Sequence, residues 1–222
     1  FDTAYFYGNE KALGSALKQS NIERDELFIT SKLWNDYQGY DQTIEYFNKS
    51  LDNLGLDYLD LFLIHWPCEN DQLYIESYKA LEHLYEEGKI KAIGVCNFKI
   101  QHLEKLMRET KITPQVNQIE LHPYFNQQDV QDFCDEHDIK VTAWMPLMRN
   151  KGLLDDPVIT DIAHRYDKTP AQIVLRWHLA HNRIIIPKSQ TPQRIKENFD
   201  IFDFNLELTD VAEIDLSLIH IS

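Results

Sequence analysis

Short apolar runs alternate with longer amphipathic segments along the whole chain, and this alternation constrains the fold more than any other feature. Runs such as Leu61-Phe62-Leu63-Ile64 and Ile184-Ile185-Ile186 are nearly continuously apolar. That is the pattern of strands covered on both faces, whereas strands of a one-sided sheet alternate. Strands are expected over residues 28–33, 58–66, 92–98, 115–121, 140–147 and 183–188, with a stub at 1–4. Residues 40–54 carry Ile44, Phe47, Leu51 and Leu54 at helical spacing, and Gly55 follows as a stop. Residues 75–87 repeat the pattern with Tyr78, Leu81, Leu84 and Tyr85 ahead of Gly88. Further helices are expected over 100–110, 127–138, 158–166, 170–181, 192–199 and 209–218. Thr169-Pro170 and Thr191-Pro192 each set a capping residue before a proline at the first helical position.

Strand–helix alternation builds parallel βα units. An open, doubly wound sheet would carry a Gly-rich turn of GxGxxG type after its first strand. None is present, and the chain holds 7 glycines. The expected architecture is a (β/α)8 TIM barrel forming a single domain over residues 1–222, with 43% hydrophobic residues to build its core. Seven strand positions are visible where such a barrel has eight. The run Phe1-Asp2-Thr3 opens inside a strand-like motif without an initiating Met. The barrel is therefore expected to be incomplete.

The net charge is −14, and no cluster of Lys or Arg stands out. A nucleic-acid or anionic-membrane partner is not expected, and any bound anion must be held by local geometry. Cys68, Cys96 and Cys134 are widely spaced, odd in number and form no CxxC pair. Neither a disulfide framework nor a metal site is expected, and a reducing, cytoplasmic compartment is the simpler reading. No apolar run approaches the ~18 residues that cross a bilayer.

Four polar residues carry the chemistry. Tyr7, Lys32 and His65 each lie at or just beyond the C-terminal end of an expected strand, the end at which barrels build their active sites. A lysine ending a buried strand is costly unless paired, and Asp2 can supply the acid. Alone, Lys32 has an equal chance of snorkelling to solvent. His65 ends four apolar residues, and Pro67 turns the chain away directly afterwards.

Asp2-Thr3-Ala4-Tyr5-Phe6-Tyr7-Gly8-Asn9-Glu10 resembles the D-T-A-x-x-Y-x-N-E signature of the aldo-keto reductases. The resemblance continues in family order through Ser31-Lys32-Leu33-Trp34, Leu63-Ile64-His65-Trp66-Pro67, Gly94-Val95-Cys96-Asn97-Phe98 and Val116-Asn117-Gln118-Ile119-Glu120. It extends to Ile186-Pro187-Lys188-Ser189 and Thr191-Pro192-x-Arg194-Ile195-x-Glu197-Asn198, and so covers essentially the whole chain. It is similar to the compact bacterial and fungal members, the aldehyde and diketogluconate reductases, through its short connection between Pro67 and Tyr74.

What the resemblance implies is an NADPH-dependent reduction of aldehydes or ketones. Tyr7 matches the residue that donates a proton to the carbonyl oxygen. A free phenol, with a pKa of about 10, is a poor acid at neutral pH, and the Lys32 ammonium is expected to lower it. Asp2 would hold Lys32, and His65 would orient the carbonyl, forming a small oxyanion site with Tyr7. Trp34, His65 and Trp66 are the implied substrate contacts. Asn97 and Gln118 match the side chains that hold the nicotinamide carboxamide, and Trp144 the ring that stacks on it. Lys188, Ser189 and Arg194 match the adenosine-phosphate site, and two cations there favour NADPH over NADH. Glu197 and Asn198 match adenine contacts.

Three positions depart from the family pattern. Cys96 replaces a usual serine, and Met145 and Met148 stand where Ser and Gly are usual, so the loop that holds them is expected to sit differently. The family's N-terminal hairpin and first βα unit are expected to be missing, which would leave two strand edges unpaired and the isolated chain poorly soluble or inactive. The last residues, Leu218 to Ser222, do not match the family ending. Members of the family are mostly monomers, and a monomer is expected. Two rivals are a Schiff-base aldolase barrel using Lys32 as nucleophile and a non-catalytic NADPH-binding module.

Overall fold

The computed structural model describes residues 1–217. The tail that departs from the family ending lies outside the described residues. Among the described residues six strands form: β1 (Thr30–Leu33), β2 (Leu61–Ile64), β3 (Ile93–Cys96), β4 (Val116–Glu120), β5 (Lys140–Trp144) and β6 (Ile184–Ile185). They make a parallel sheet whose strand order is the chain order, as strand–helix alternation requires. The stub at the chain start contributes one parallel bridge, Asp2 to Thr30. Each strand is shorter than its apolar run. β6 keeps two residues of the six expected, and Pro187 beyond it has no N–H to donate to a ladder. Among the described residues no helix is long and apolar enough to cross a membrane.

The described residues divide into two compact units. The first holds Phe1–Asn117 and Phe133–Ile139. In it β1 pairs with β2 in the register Lys32 to Leu63, and β2 with β3 in the register Ile64 to Val95. Its helices are α1 (Glu10–Gln19), α2 (Tyr40–Leu54), α3 (Asp71–Glu86) and α4 (Ile100–Glu109). The apolar stripe of α2 buries Phe47, Leu51 and Leu54, with Phe47 edge-on to Phe62 of β2 at 5.1 Å. Gly55 ends the helix at φ 66, a left-handed conformation that glycine adopts without a Cβ clash. Asp60, just before β2, accepts the Ile29 N–H at 2.9 Å and pairs with Arg24 at 2.7 Å and Lys91 at 3.2 Å.

Helix α1 was not expected from the sequence. Its apolar positions are the two pairs Ala12-Leu13 and Ala16-Leu17, half of them alanine, and Gly14 at its centre lowers helix propensity. The glycine is required by packing: a Cβ there would lie 2.3 Å from the Leu54 carbonyl oxygen of α2.

The second unit holds Gln118–Asp132 and the chain from Lys140 onward. α5 (Gln128–Glu136) begins in it, and α6 (Pro157–Tyr166), α7 (Pro170–Ala180), α8 (Pro192–Phe199) and α9 (Leu208–Ser217) follow. Thr169 caps α7 in a reciprocal box with Gln172, as Thr-Pro predicts. Trp177 is fully buried and donates its Nε1 proton to Asp215 of α9 at 2.8 Å. His178 beside it is also buried, its Nε2 3.3 Å from the Pro146 carbonyl oxygen.

Candidate active site

Lys32 lies in β1 with no solvent-exposed surface. Its ammonium pairs with Asp2 and donates to the Thr3 carbonyl oxygen at 2.9 Å. Burial alone pushes the amine towards its neutral form. Asp2, aided by Cys96 and Tyr7, outweighs that and holds the pKa above the ordinary lysine value. The predicted Asp2–Lys32 pair therefore forms, and the snorkelling alternative is overturned. An enclosed, protonated amine is a poor nucleophile.

The Lys32 Nζ is 5.4 Å from the centroid of the Tyr7 ring, which is 50% exposed. The sequence predicts that Lys32 lowers the Tyr7 pKa. Lys32 does pull it down, but partial burial of the phenol raises it more, and Asp2 and Cys96 add to the rise. The net shift is upward, so the phenol stays protonated at neutral pH.

His65 is buried at the end of β2, and its backbone N–H donates to the Leu33 carbonyl oxygen at 3.1 Å. Burial, reinforced by Lys32, lowers its pKa to about 4. The ring is thus neutral at pH 7, one nitrogen carrying a proton and the other a lone pair. Its Nδ1 is buried and has no hydrogen-bond partner among the described residues. The Tyr7 and Trp34 rings both meet His65 edge-on, at 5.6 and 5.3 Å. Phe6, which no motif in the sequence singles out, stacks on Trp34 with centroids 3.7 Å apart. Phe6 and Trp66 leave 57% and 40% of their surface open.

Asn97 follows β3 at a left-handed φ of 62 and donates its Nδ2 to the His65 carbonyl oxygen at 3.0 Å. Part of this amide thus ties the ends of two strands together. Cys96 is buried, and burial pushes its thiol far above the ordinary range. No disulfide forms: all three cysteines are free.

In the second unit Gln118 is buried in β4, and Trp144 is half-buried at the end of β5. Met145, Met148 and Arg149 then adopt φ of 53, 49 and 50. Glycine tolerates such angles, so Met148 departs from the family pattern in its side chain while its backbone keeps a glycine-like conformation. Lys188 and Arg194 are exposed on either side of the start of α8. Ser189 Oγ accepts the Thr191 N–H at 3.1 Å, and the Thr191 side chain makes no capping bond. Two cations, a hydroxyl and a helix start in one short stretch are a donor set that suits a phosphate ester. Gln193 donates to Glu197 at 3.0 Å. Asn198 lines a cleft of about 280 Å³ with Ile185, Pro187, Ile195 and Phe199.

The model of the family described as "Aldo/keto reductase family" matches residues 1–219. Glyoxal reductase of Bacillus subtilis is 50% identical over 214 residues, covering 96% of this chain and 76% of that protein. Methylglyoxal reductase DkgA of Escherichia coli K12 is 49% identical over 214 residues, covering 96% and 77%. A mutant of Gox0644 solved in complex with NADPH superposes with a TM-score of 0.92 at 44% identity, covering 97% of this chain and 78% of that one.

Proposed function

We infer that this chain, which belongs to the aldo/keto reductase family, reduces small aldehydes and ketones to alcohols with NADPH, α-dicarbonyls such as glyoxal and methylglyoxal among them. The observation that carries the reading is a half-exposed phenol beside a neutral, buried imidazole, above an enclosed ammonium–carboxylate pair. Bound NADPH supplies a hydride to the carbonyl carbon. Tyr7 gives its proton to the carbonyl oxygen. The raised pKa keeps that proton in place until it is needed, and Lys32 then offsets the charge growing on the phenolate, an interaction strongest in the transition state. His65 donates to the same oxygen and orients it. Trp34 and Trp66 flank the substrate.

For the cofactor, Lys188, Ser189 and Arg194 hold the adenosine phosphate, Glu197 and Asn198 contact adenine, and Gln118 and Trp144 contact nicotinamide. Asn97 contacts the carboxamide. The enclosure of Lys32 removes support for a Schiff-base aldolase. For the architecture we propose one (β/α)8 barrel domain, which parallel strands in chain order support, and for the context a cytoplasmic monomer, in keeping with three free cysteines.

The test is NADPH oxidation with methylglyoxal by the parent and by Tyr7→Phe, alongside NADPH binding by fluorescence. Removing a general acid should slow turnover about 10²- to 10⁴-fold with cofactor affinity unchanged. Equal rates would overturn the proton-donor role, and turnover independent of NADPH would overturn the reading itself.

A further inference from the structure

Ring contacts are the packing on Tyr7 and its turn: Tyr7 meets His65 edge-on, Phe6 stacks on Trp34, and Tyr5 lies edge-on to Tyr37 and Tyr46. The 3-10 turn Tyr5–Tyr7 has no buried residue, and Gly8 after it turns the chain at φ 65. Lys32, by contrast, is fixed in β1. Bonds on either side of the turn further constrain the distance between the two. Before it, the Thr3 N–H donates to the Thr30 carbonyl oxygen at 2.9 Å, and the Thr3 carbonyl oxygen accepts from Lys32. After it, Asn9 Oδ1 accepts the Thr3 hydroxyl at 2.6 Å, closing residues 3–9 into a loop around Tyr7. Glu10 is 2% exposed and accepts from two donors. Its Oε1 takes the Ser31 hydroxyl at 2.6 Å, next to Lys32 in β1, and its Oε2 takes the Asn53 amide of α2 at 3.0 Å. A carboxylate this buried is costly unless both oxygens are satisfied, so the two contacts fix it rigidly.

We propose that Glu10 is a positioning residue: its bond to Ser31 pins the start of α1 to β1 and thereby sets the separation of the Tyr7 phenol from the Lys32 ammonium. The proposal rests on the proton-donor reading of Tyr7. Glu10 touches no reacting atom and acts through Ser31, with the Thr3–Asn9 bond completing the loop. If the clip is cut, the phenol drifts from the ammonium that offsets its charge.

The experiment follows kcat against pH at saturating NADPH, with methylglyoxal as substrate, for Glu10→Ala, Glu10→Gln, Ser31→Ala and Asn53→Ala, with Tm and the cofactor KM measured in parallel. Glu10→Ala and Ser31→Ala should lower kcat about ten- to a hundredfold, the scale of a displacement near 1 Å, and move the alkaline limb of the profile upward. The cofactor KM should stay constant. Glu10→Gln can still accept from Ser31 and should restore most of kcat. Asn53→Ala cuts only the α2 side, and should lower Tm without moving the profile. If Glu10→Ala does not fold, Ser31→Ala carries the test alone. Parental kcat and pH profile in Ser31→Ala would overturn the proposal, as would the same profile shift in Asn53→Ala. A Tyr7→Phe variant as fast as the parent would show instead that the proton-donor reading had failed.

Discussion

Phe6 shows what one side chain adds to a site whose chemistry lies elsewhere. Its ring covers one face of Trp34 and leaves more than half of itself open beside the His65–Tyr7 pair. A substrate bearing an aryl group can lay it on that ring, while a methyl group gains little. Burying about 55 Å² of apolar surface there is worth about 1.4 kcal/mol, or a tenfold preference. Phe6→Ala should therefore lower kcat/KM for phenylglyoxal about tenfold and leave methylglyoxal nearly unchanged; an equal fall for both would mean that Phe6 acts only by propping Trp34. Asp2 and Lys32 were legible in the sequence because a charge in an apolar strand demands a partner. Phe6 was not, since it fills an unspecified place in its motif. The partner of Glu10 lies 21 residues away, and no local pattern announces it. The direction of the Tyr7 pKa was also missed, because desolvation depends on neighbours that a motif does not name.

At the scale of elements, the period of the apolar residues located five of the six strands closely and the helices to within a few residues, with capping residues marking several starts. The short β6 and the unexpected α1 show the limits of that signal. One keeps two of its six expected residues, and the other is a helix whose central glycine makes sense only beside Leu54. The start of α8 was legible because Thr-Pro and two nearby cations are local features. Exposed ends of this kind bind through charge-assisted bonds, each worth about 1.5–3 kcal/mol. Arg194→Ala should weaken NADPH binding about ten- to a hundredfold and NADH binding far less, measured by fluorescence titration of both cofactors. Equal losses would remove Arg194 from the phosphate.

For the molecule as a whole, two buried histidines tie stability to pH. Burial lowers His65 to about 4 and His178 to about 3, the latter reinforced by Arg183, from an ordinary value of 6.5. The unfolded chain binds these protons first, so their contribution is complete above pH 6.5 and is lost as pH falls towards 4 and then 3. His65 alone accounts for about 3 kcal/mol of that loss. Tm should fall steadily between pH 6.5 and 4, and His178→Gln should flatten the slope; a level Tm across that interval would contradict the assignment. The enclosure of Lys32 bears on endurance too. Dicarbonyls, the substrates proposed here, are glycating agents that attack exposed lysines over a protein's lifetime. With its surface wholly covered and its charge held by Asp2, the amine on which this chemistry depends is the one its own substrates are least able to modify.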